Sequence, residues 1–315
     1  MRIFRIISGI VLSALAVLSC SPLSKAQLEA VRQLTFNSDT VSRSPAVLFG
    51  EMADIRLHRG LYYALSLSSG ETRYAEVAAL AEASMDDEDM VRKADGYVDV
   101  LNSYLRALRS LSSGQRWKGA GTQLRGIGSR VDSVIYRYNI LADKEDKLPE
   151  GYARMAGKVF GYVAEEVMQT VQSKAVRNVV MTGDTLVAAS CDSLMSILRS
   201  DEMNALIEHE RESLGDNFSA WLSAMEMNGA SVSVSDLEAY VELARRADNL
   251  SSVRNRCVSA LRSLKNAHAS LAADFAAGET DLSADLYEEL VRLNRLAAQV
   301  AGMLNRQDLW KRTNS

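Results

Sequence analysis

Residues 235–275 read SDLEAYVELARRADNLSSVRNRCVSALRSLKNAHASLAADF, and this stretch decides the fold class. From Leu237 to Phe275 the residues expected to be buried, all apolar except His268, recur in steps of three and four. There are eleven steps over 38 residues. The mean period is about 3.5, the spacing at which helices wrap around one another. Ser235 and Glu238 have the spacing of a capping box, so we expect one long helix that begins at Ser235. The seam consists of Leu237, Val241, Ala244, Ala247, Leu250, Val253, Cys257, Leu261, Leu264, His268, Leu271 and Phe275.

A second helical pattern follows this stretch after a short polar connection at 278–283. It runs from Leu286 to Leu304, again in steps of three and four. Consecutive helices joined by a short connection pack antiparallel. The C-terminal part of the chain is therefore predicted to be a helical hairpin.

The rest of the chain also favours helix over strand. Only three prolines occur among 315 residues, aromatic residues make up 6%, and the apolar positions keep a helical period almost everywhere. Together these patterns predict an all-α fold, an elongated antiparallel helical bundle with coiled-coil character. Further helices are expected at 90–111, 117–141, 150–181 and 185–228, with Gly183 and Asp184 separating the last two or only bending a continuous helix.

The charged connection that ends at Pro149 is the preferred boundary within the body of the chain. It divides an N-terminal helical half, residues 45–148, from a C-terminal half with the long helix and the terminal hairpin, residues 149–315. Pro45 is expected to open the body. Residues 20–44 are predicted to be a tether that contains a short amphipathic piece.

The N-terminus has the composition of a secretory signal. Arg2 and Arg5 precede an apolar run at 6–18 that is too short to span a bilayer. The run ends in Val-Leu-Ser-Cys at 17–20, which resembles the lipobox of bacterial lipoproteins. The resemblance covers about twenty residues and implies that residues 1–19 are cleaved and that Cys20 is acylated, for example with palmitate. Several acyl chains would hold the protein at a membrane.

The residues after the cysteine indicate where such a lipoprotein is sorted. Ser21 and Pro22 lack the aspartate associated with inner-membrane retention in enteric lipoproteins, and no acidic run resembling a surface-export signal follows. We therefore expect attachment to the outer membrane, facing the periplasm, with the inner membrane and the cell surface as alternatives. Without Arg2 and Arg5 the net charge changes from −4 to −6, which argues against nucleic acid as a partner.

No recognised catalytic motif occurs in the sequence. Glu-x-x-His, His-Glu-x-x-His, the phosphate loop, Gly-x-Ser-x-Gly and Ser-x-x-Lys are all missing, so no enzyme activity, cofactor or metal site is predicted. The glycine pairs at 119–121 and 126–128 favour helix packing over phosphate binding. The carboxylates at 86–89 favour helix capping over calcium binding.

Several polar residues on the predicted helices could have a role. His209 is expected on a solvated face with the acidic run around it, and His268 is expected as a satisfied core histidine or a register-setting residue. Cys191 and Cys257 fall on apolar faces and are predicted to be buried free thiols. A basic face on the long helix could dock an acidic partner or anionic lipid, or only be solvated; its candidate contact residues are Arg245, Arg246, Arg254 and Arg256.

These observations predict a non-catalytic cell-envelope lipoprotein. It would act as a structural or adaptor protein, held to the membrane by its N-terminal lipid and presenting helical faces to a protein partner. A periplasmic module that binds a lipid or a small molecule is the alternative, because helices can enclose a pocket. A hydrolase of the cell wall or of lipids is less favoured, since the sequence shows no acid, base or nucleophile motif for it.

Overall fold

The computed structural model describes residues 23–82, 89–113, 133–142, 147–148, 165–278 and 280–313, without the side chains of 165–171 and 304–313. Their regular structure is helical throughout and contains no strand, which confirms the predicted all-α helical bundle. Among these helices none has an apolar stretch long enough to cross a bilayer. A helical segment at 133–141 accompanies eight longer helices. These are α1 (Lys25–Val41), α2 (Ser44–Ser66), α3 (Gly70–Glu82), α4 (Asp89–Ser112), α5 (Glu165–Arg199), α6 (Asp201–Met227), α7 (Val234–Ala277) and α8 (Ala284–Thr313).

The described residues pack as two compact units, each assembled from segments that are distant in sequence. The first unit combines the described parts of 1–42, 96–192 and 261–297, and the second those of 43–95, 193–260 and 298–315. Both units draw on chain from either side of residue 149, because long helices bring remote segments into one core. The predicted boundary at 149 itself lies outside the described residues and stays a prediction.

Helix α1 lies within the segment 20–44 that was expected to be a tether. Ser24 caps it: the Ser24 side chain accepts a hydrogen bond from the Gln27 backbone, and the Gln27 side chain accepts one from the Ser24 backbone. Val31 and Leu34 are fully buried in the first unit. From residue 25 onward this segment is therefore part of the folded body, because its amphipathic face has a core to pack against.

Helices α4 and α5 form much of the first unit. Helix α4 occupies the predicted range, and its buried face includes Leu101 and Leu108. Of the two alternatives for Gly183 and Asp184, a continuous helix is present and the separation is wrong, since α5 continues through both residues to Arg199. The two helices are separated at Ser200 instead. The Ser200 side chain caps α6 by accepting a hydrogen bond from the Met203 backbone at 3.1 Å.

Helix α7 is the predicted long helix, but its N-terminal cap differs. The Ser233 hydroxyl accepts from the Asp236 backbone at 3.2 Å, and the Asp236 carboxylate accepts from the Ser233 backbone at 3.0 Å. These hydrogen bonds lower the pKa of Asp236. The predicted box of Ser235 and Glu238 is thus replaced by one that begins two residues earlier. The seam is buried at every position from Ala247 to Phe275.

The predicted C-terminal hairpin is present in the first unit. Asn266 of α7 donates to Glu289 of α8, and Asp274 near the end of α7 accepts from the Ser283 backbone just before α8, so the two helices run antiparallel. The connection turns at Gly278, whose φ of +72° is favoured only for glycine.

Candidate functional site

An aromatic cluster in the second unit joins the C-terminal part of α2, the C-terminal half of α6 and the N-terminal part of α7. The rings of Phe218 and Tyr240 stack with centroids 3.7 Å apart, and Tyr62 lies 5.1 Å from Phe218 and 5.5 Å from Trp221. Burial, together with the nearby Asp236 carboxylate, raises the pKa of Tyr62. The cluster holds three helices together at one end of this unit.

Large apolar side chains on the helices of this cluster and on α3 are exposed to solvent. Helix α3, which packs against α2 through Leu80 and Gly60, buries none of its 13 residues. Tyr74 on α3 is 77% exposed, and Met227 at the end of α6 is 81% exposed. Apolar surface of this kind marks interaction sites in soluble domains. We call the set the apolar end: Tyr63, Leu65, Tyr74, Val77, Met227, Val234, Leu237 and Val241.

The apolar end continues into a basic residue on α7. Leu237, Val241 and Arg245 are spaced by four residues and therefore lie on one face of the helix. The Arg245 side chain is 75% exposed and forms a loose ion pair of 3.8 Å with Glu242. Arg245 thus places a positive charge at the rim of the apolar surface.

The four arginines predicted as one contact face have different surroundings. Arg246 is largely buried and forms ion pairs of 2.7 Å with Glu51 and Asp54 of α2. Burial lowers its pKa, but these two carboxylates outweigh that effect and raise it. Arg254 donates a hydrogen bond to Asn204 of α6. Arg246 and Arg254 therefore form polar contacts within the second unit.

Arg245 and Arg256 are the exposed members of that set, so a continuous basic face does not form. The physical reason is that α2 supplies Glu51 and Asp54 to Arg246, and α6 supplies Asn204 to Arg254. A role for the exposed arginines in partner or lipid contact stays a prediction.

Glu210 belongs to the acidic run around His209 that was expected to be solvated, but it is a buried carboxylate. It is fully buried and accepts hydrogen bonds from Arg56 at 2.7 Å and Arg59 at 2.5 Å. Its neighbour His209 is exposed, as expected. The signal for burial was available, because Glu210 stands in the apolar period of α6. The buried positions of that period are Met203, Ile207, Glu210, Leu214, Phe218 and Trp221.

A second buried polar cluster lies in the first unit and contains His268. Its Nε2 atom lies 2.8 Å from the Tyr104 hydroxyl, and its Nδ1 atom lies 2.9 Å from Asp184. Tyr104 also donates to the backbone oxygen of Val179, and burial raises its pKa. His268 and Tyr104 are both fully buried. His268 is therefore a satisfied core histidine, as predicted, and a substrate has no access to this pair.

Both described cysteines are buried and free, which confirms the prediction for Cys191 and Cys257. Burial raises the pKa of each thiol, in Cys257 to about 12. The Cys257 thiol donates to the backbone oxygen of Ser44 at 3.0 Å. A thiol in such surroundings is a poor nucleophile, so neither residue is a candidate catalytic group.

Other predicted features lie outside the described residues: Cys20, the carboxylates at 86–88 and the glycines at 119–128. Asp89, the last of the acidic run, lies in the first turn of α4 and pairs with Lys93 and Arg92, which lower its pKa. In the described part of the chain no group of side chains could hold a metal ion.

Comparison of the chain with protein-family models, with curated proteins and with solved structures finds no match. The interpretation of function therefore depends on the surfaces described above.

Proposed function

We propose that the protein is a non-catalytic cell-envelope lipoprotein that acts as an adaptor. In this proposal acyl chains on Cys20 attach it to the membrane, and the apolar end of the second unit binds a protein partner. The observation that carries the proposal is the exposure of the large apolar side chains around the aromatic cluster, above all on α3.

The energetics favour a protein partner at this surface. Removing an exposed tyrosine, valine or methionine from water contributes roughly 1.5–3 kcal/mol per side chain. The aromatic cluster beneath the surface is packed before binding, which reduces the entropy lost when a complex forms. Large side chains such as Tyr74 and Met227, with a charged residue such as Arg245 at the rim, have the composition of an interface.

Attachment to the envelope is the other half of the proposal. It is supported by the lipobox-like residues 17–20 and by the short apolar run before them. Localisation at the outer membrane, facing the periplasm, follows from the residues after Cys20 and is part of the same proposal.

The anchor is tested by the change Cys20→Ala. We expect loss of incorporated palmitate label and loss of the protein from the membrane fraction, because the acylated residue is gone. Labelling and fractionation of the variant are compared with Cys191→Ala, which alters a buried thiol and leaves Cys20 in place. Unchanged label and membrane association in Cys20→Ala would rule out a lipoprotein anchor.

The docking surface is tested by the change Tyr74→Glu. We expect it to reduce the yield of a crosslinked partner at least about tenfold, since tenfold corresponds to about 1.4 kcal/mol, less than the burial of one tyrosine contributes. The readout is the yield of crosslinked protein from a photo-crosslinking residue at position 227, activated in intact cells. The partner is identified by mass spectrometry. The complex is then confirmed by purifying that partner and detecting this protein with it.

The matched control is Tyr287→Glu, a tyrosine that is 66% exposed on α8 and belongs to the first unit. It should leave the crosslink unchanged, and both variants should keep the helicity and melting temperature of the wild type. Equal crosslink yields in the two variants, or no crosslinked protein at all, would contradict the proposal.

A further inference from the structure

A groove in the first unit has the character of a ligand site that the adaptor function does not use. It lies between residues 29–37 of α1 and the C-terminal end of α4, and Asn294 of α8 also lines it. Its volume is about 720 Å³, within the ~300–1,000 Å³ typical of small-molecule sites. Phe36 is the one large apolar side chain among the described residues that line it. The lining thus combines one aromatic ring with amide, hydroxyl, guanidinium and carboxylate groups.

Phe36 offers an open aromatic surface at this groove. Its side chain is 72% exposed, although Leu34 and Thr35 beside it are buried. It lies four residues after Arg32, so the ring and this guanidinium are on the same face of α1. A ring that is exposed beside polar groups is suited to stack against the apolar face of a flat or cyclic ligand.

Asn37 is the second observation that points to a ligand. It lines the groove, and only 7% of its surface is exposed. A side-chain amide offers donors and an acceptor that suit the hydroxyl or acetamido groups of a ligand.

The charged residues of the groove favour an anionic ligand. Among the described lining residues, Arg109 and Arg32 bring two guanidinium groups and Glu29 brings one carboxylate, which lies 3.7 Å from Arg32. Arg109 is oriented by a hydrogen bond of 2.5 Å from its Nη2 atom to the backbone oxygen of Thr35. Guanidinium groups held in this way suit carboxylates, which they can bind through two parallel hydrogen bonds.

We propose that this groove binds an acidic saccharide. A sugar ring stacks on Phe36, its hydroxyl or acetamido groups bond to Asn37, and its carboxylate pairs with Arg109 and Arg32. Stacking, amide hydrogen bonds and a guanidinium pair together select a carboxylated sugar over a neutral sugar or a simple anion. The proposal does not depend on the adaptor function.

The experiment is titration calorimetry of the mature chain in detergent with three probes. The probes are a disaccharide of N-acetylglucosamine and N-acetylmuramic acid, neutral chitobiose and inorganic phosphate. We expect saturable binding of the carboxylated disaccharide and at least about tenfold weaker binding of the other two. Equal binding of chitobiose, equal binding of phosphate, or no binding of the disaccharide overturns the proposal.

Two variants connect the binding to this groove. Phe36→Ala removes an exposed ring, so it should weaken disaccharide binding at least about tenfold and leave the melting temperature unchanged. Tyr136→Ala, which removes an exposed ring elsewhere in the first unit, is the control and should bind as the wild type does. Unchanged affinity in Phe36→Ala, or an equal loss in both variants, overturns the assignment of the site.

Discussion

Glu210→Gln is expected to lower the free energy of unfolding by about 3 kcal/mol, the lower end of the cost of breaking a buried ion pair. The change removes the negative charge that two guanidinium groups, those of Arg56 and Arg59, share in the interior of the second unit. The lower end applies because both arginines keep about a fifth of their side-chain surface exposed and recover some hydration. Urea-induced unfolding, followed by circular dichroism, measures the change.

The matched control is Glu208→Gln, two residues earlier on the same helix. Glu208 is exposed and pairs only along its own helix with Arg211, as far as the described contacts go. Exposed pairs of this kind contribute little, so the control should unfold at the same urea concentration as the wild type within error. If the two variants lost equal stability, the buried carboxylate would not have the structural role assigned to it.

Gly183→Ala is expected to destabilise the protein by about 2 kcal/mol, although alanine is the better helix former. A Cβ atom at this position would lie 2.3 Å from the ring of Tyr104. That ring is fully buried and held by hydrogen bonds to His268 and the Val179 backbone, so it cannot move aside cheaply. Overpacking of a core costs roughly 1–3 kcal/mol, more than the ~0.5–1 kcal/mol gained in helix propensity.

Gly215→Ala provides the opposite expectation on α6. A Cβ atom there would meet only the Tyr240 hydroxyl at 3.8 Å, an ordinary contact. The change should therefore stabilise the protein by about 0.5–1 kcal/mol. The melting temperatures of both variants, measured by thermal unfolding, test this difference. If both changes stabilised the protein, or both destabilised it equally, close packing against Tyr104 would not be the reason for glycine at position 183.

The apolar end and the groove differ in how far they were visible in the sequence. Leu237 and Val241 belong to the regular seam of α7, which predicted that they would be buried like the rest. They are exposed, because a periodic pattern shows which residues share a face and does not show where the neighbouring helices end. The groove on α1 was missed for a related reason: its segment was expected to be a tether that contains a short amphipathic piece.

The sequence by itself determined the helical class, the long helix α7, the hairpin with α8 and the burial of Cys191, Cys257 and His268. These features follow from local propensity and periodicity, which act within a few residues along the chain. Only the tertiary structure decided which charged residues on those helices point inward. Arg246 and Glu210 are buried, whereas Arg245 and His209 beside them are exposed. The difference arises from partners on α2, because the cost of burying a charge depends on groups that are remote in sequence and close in space.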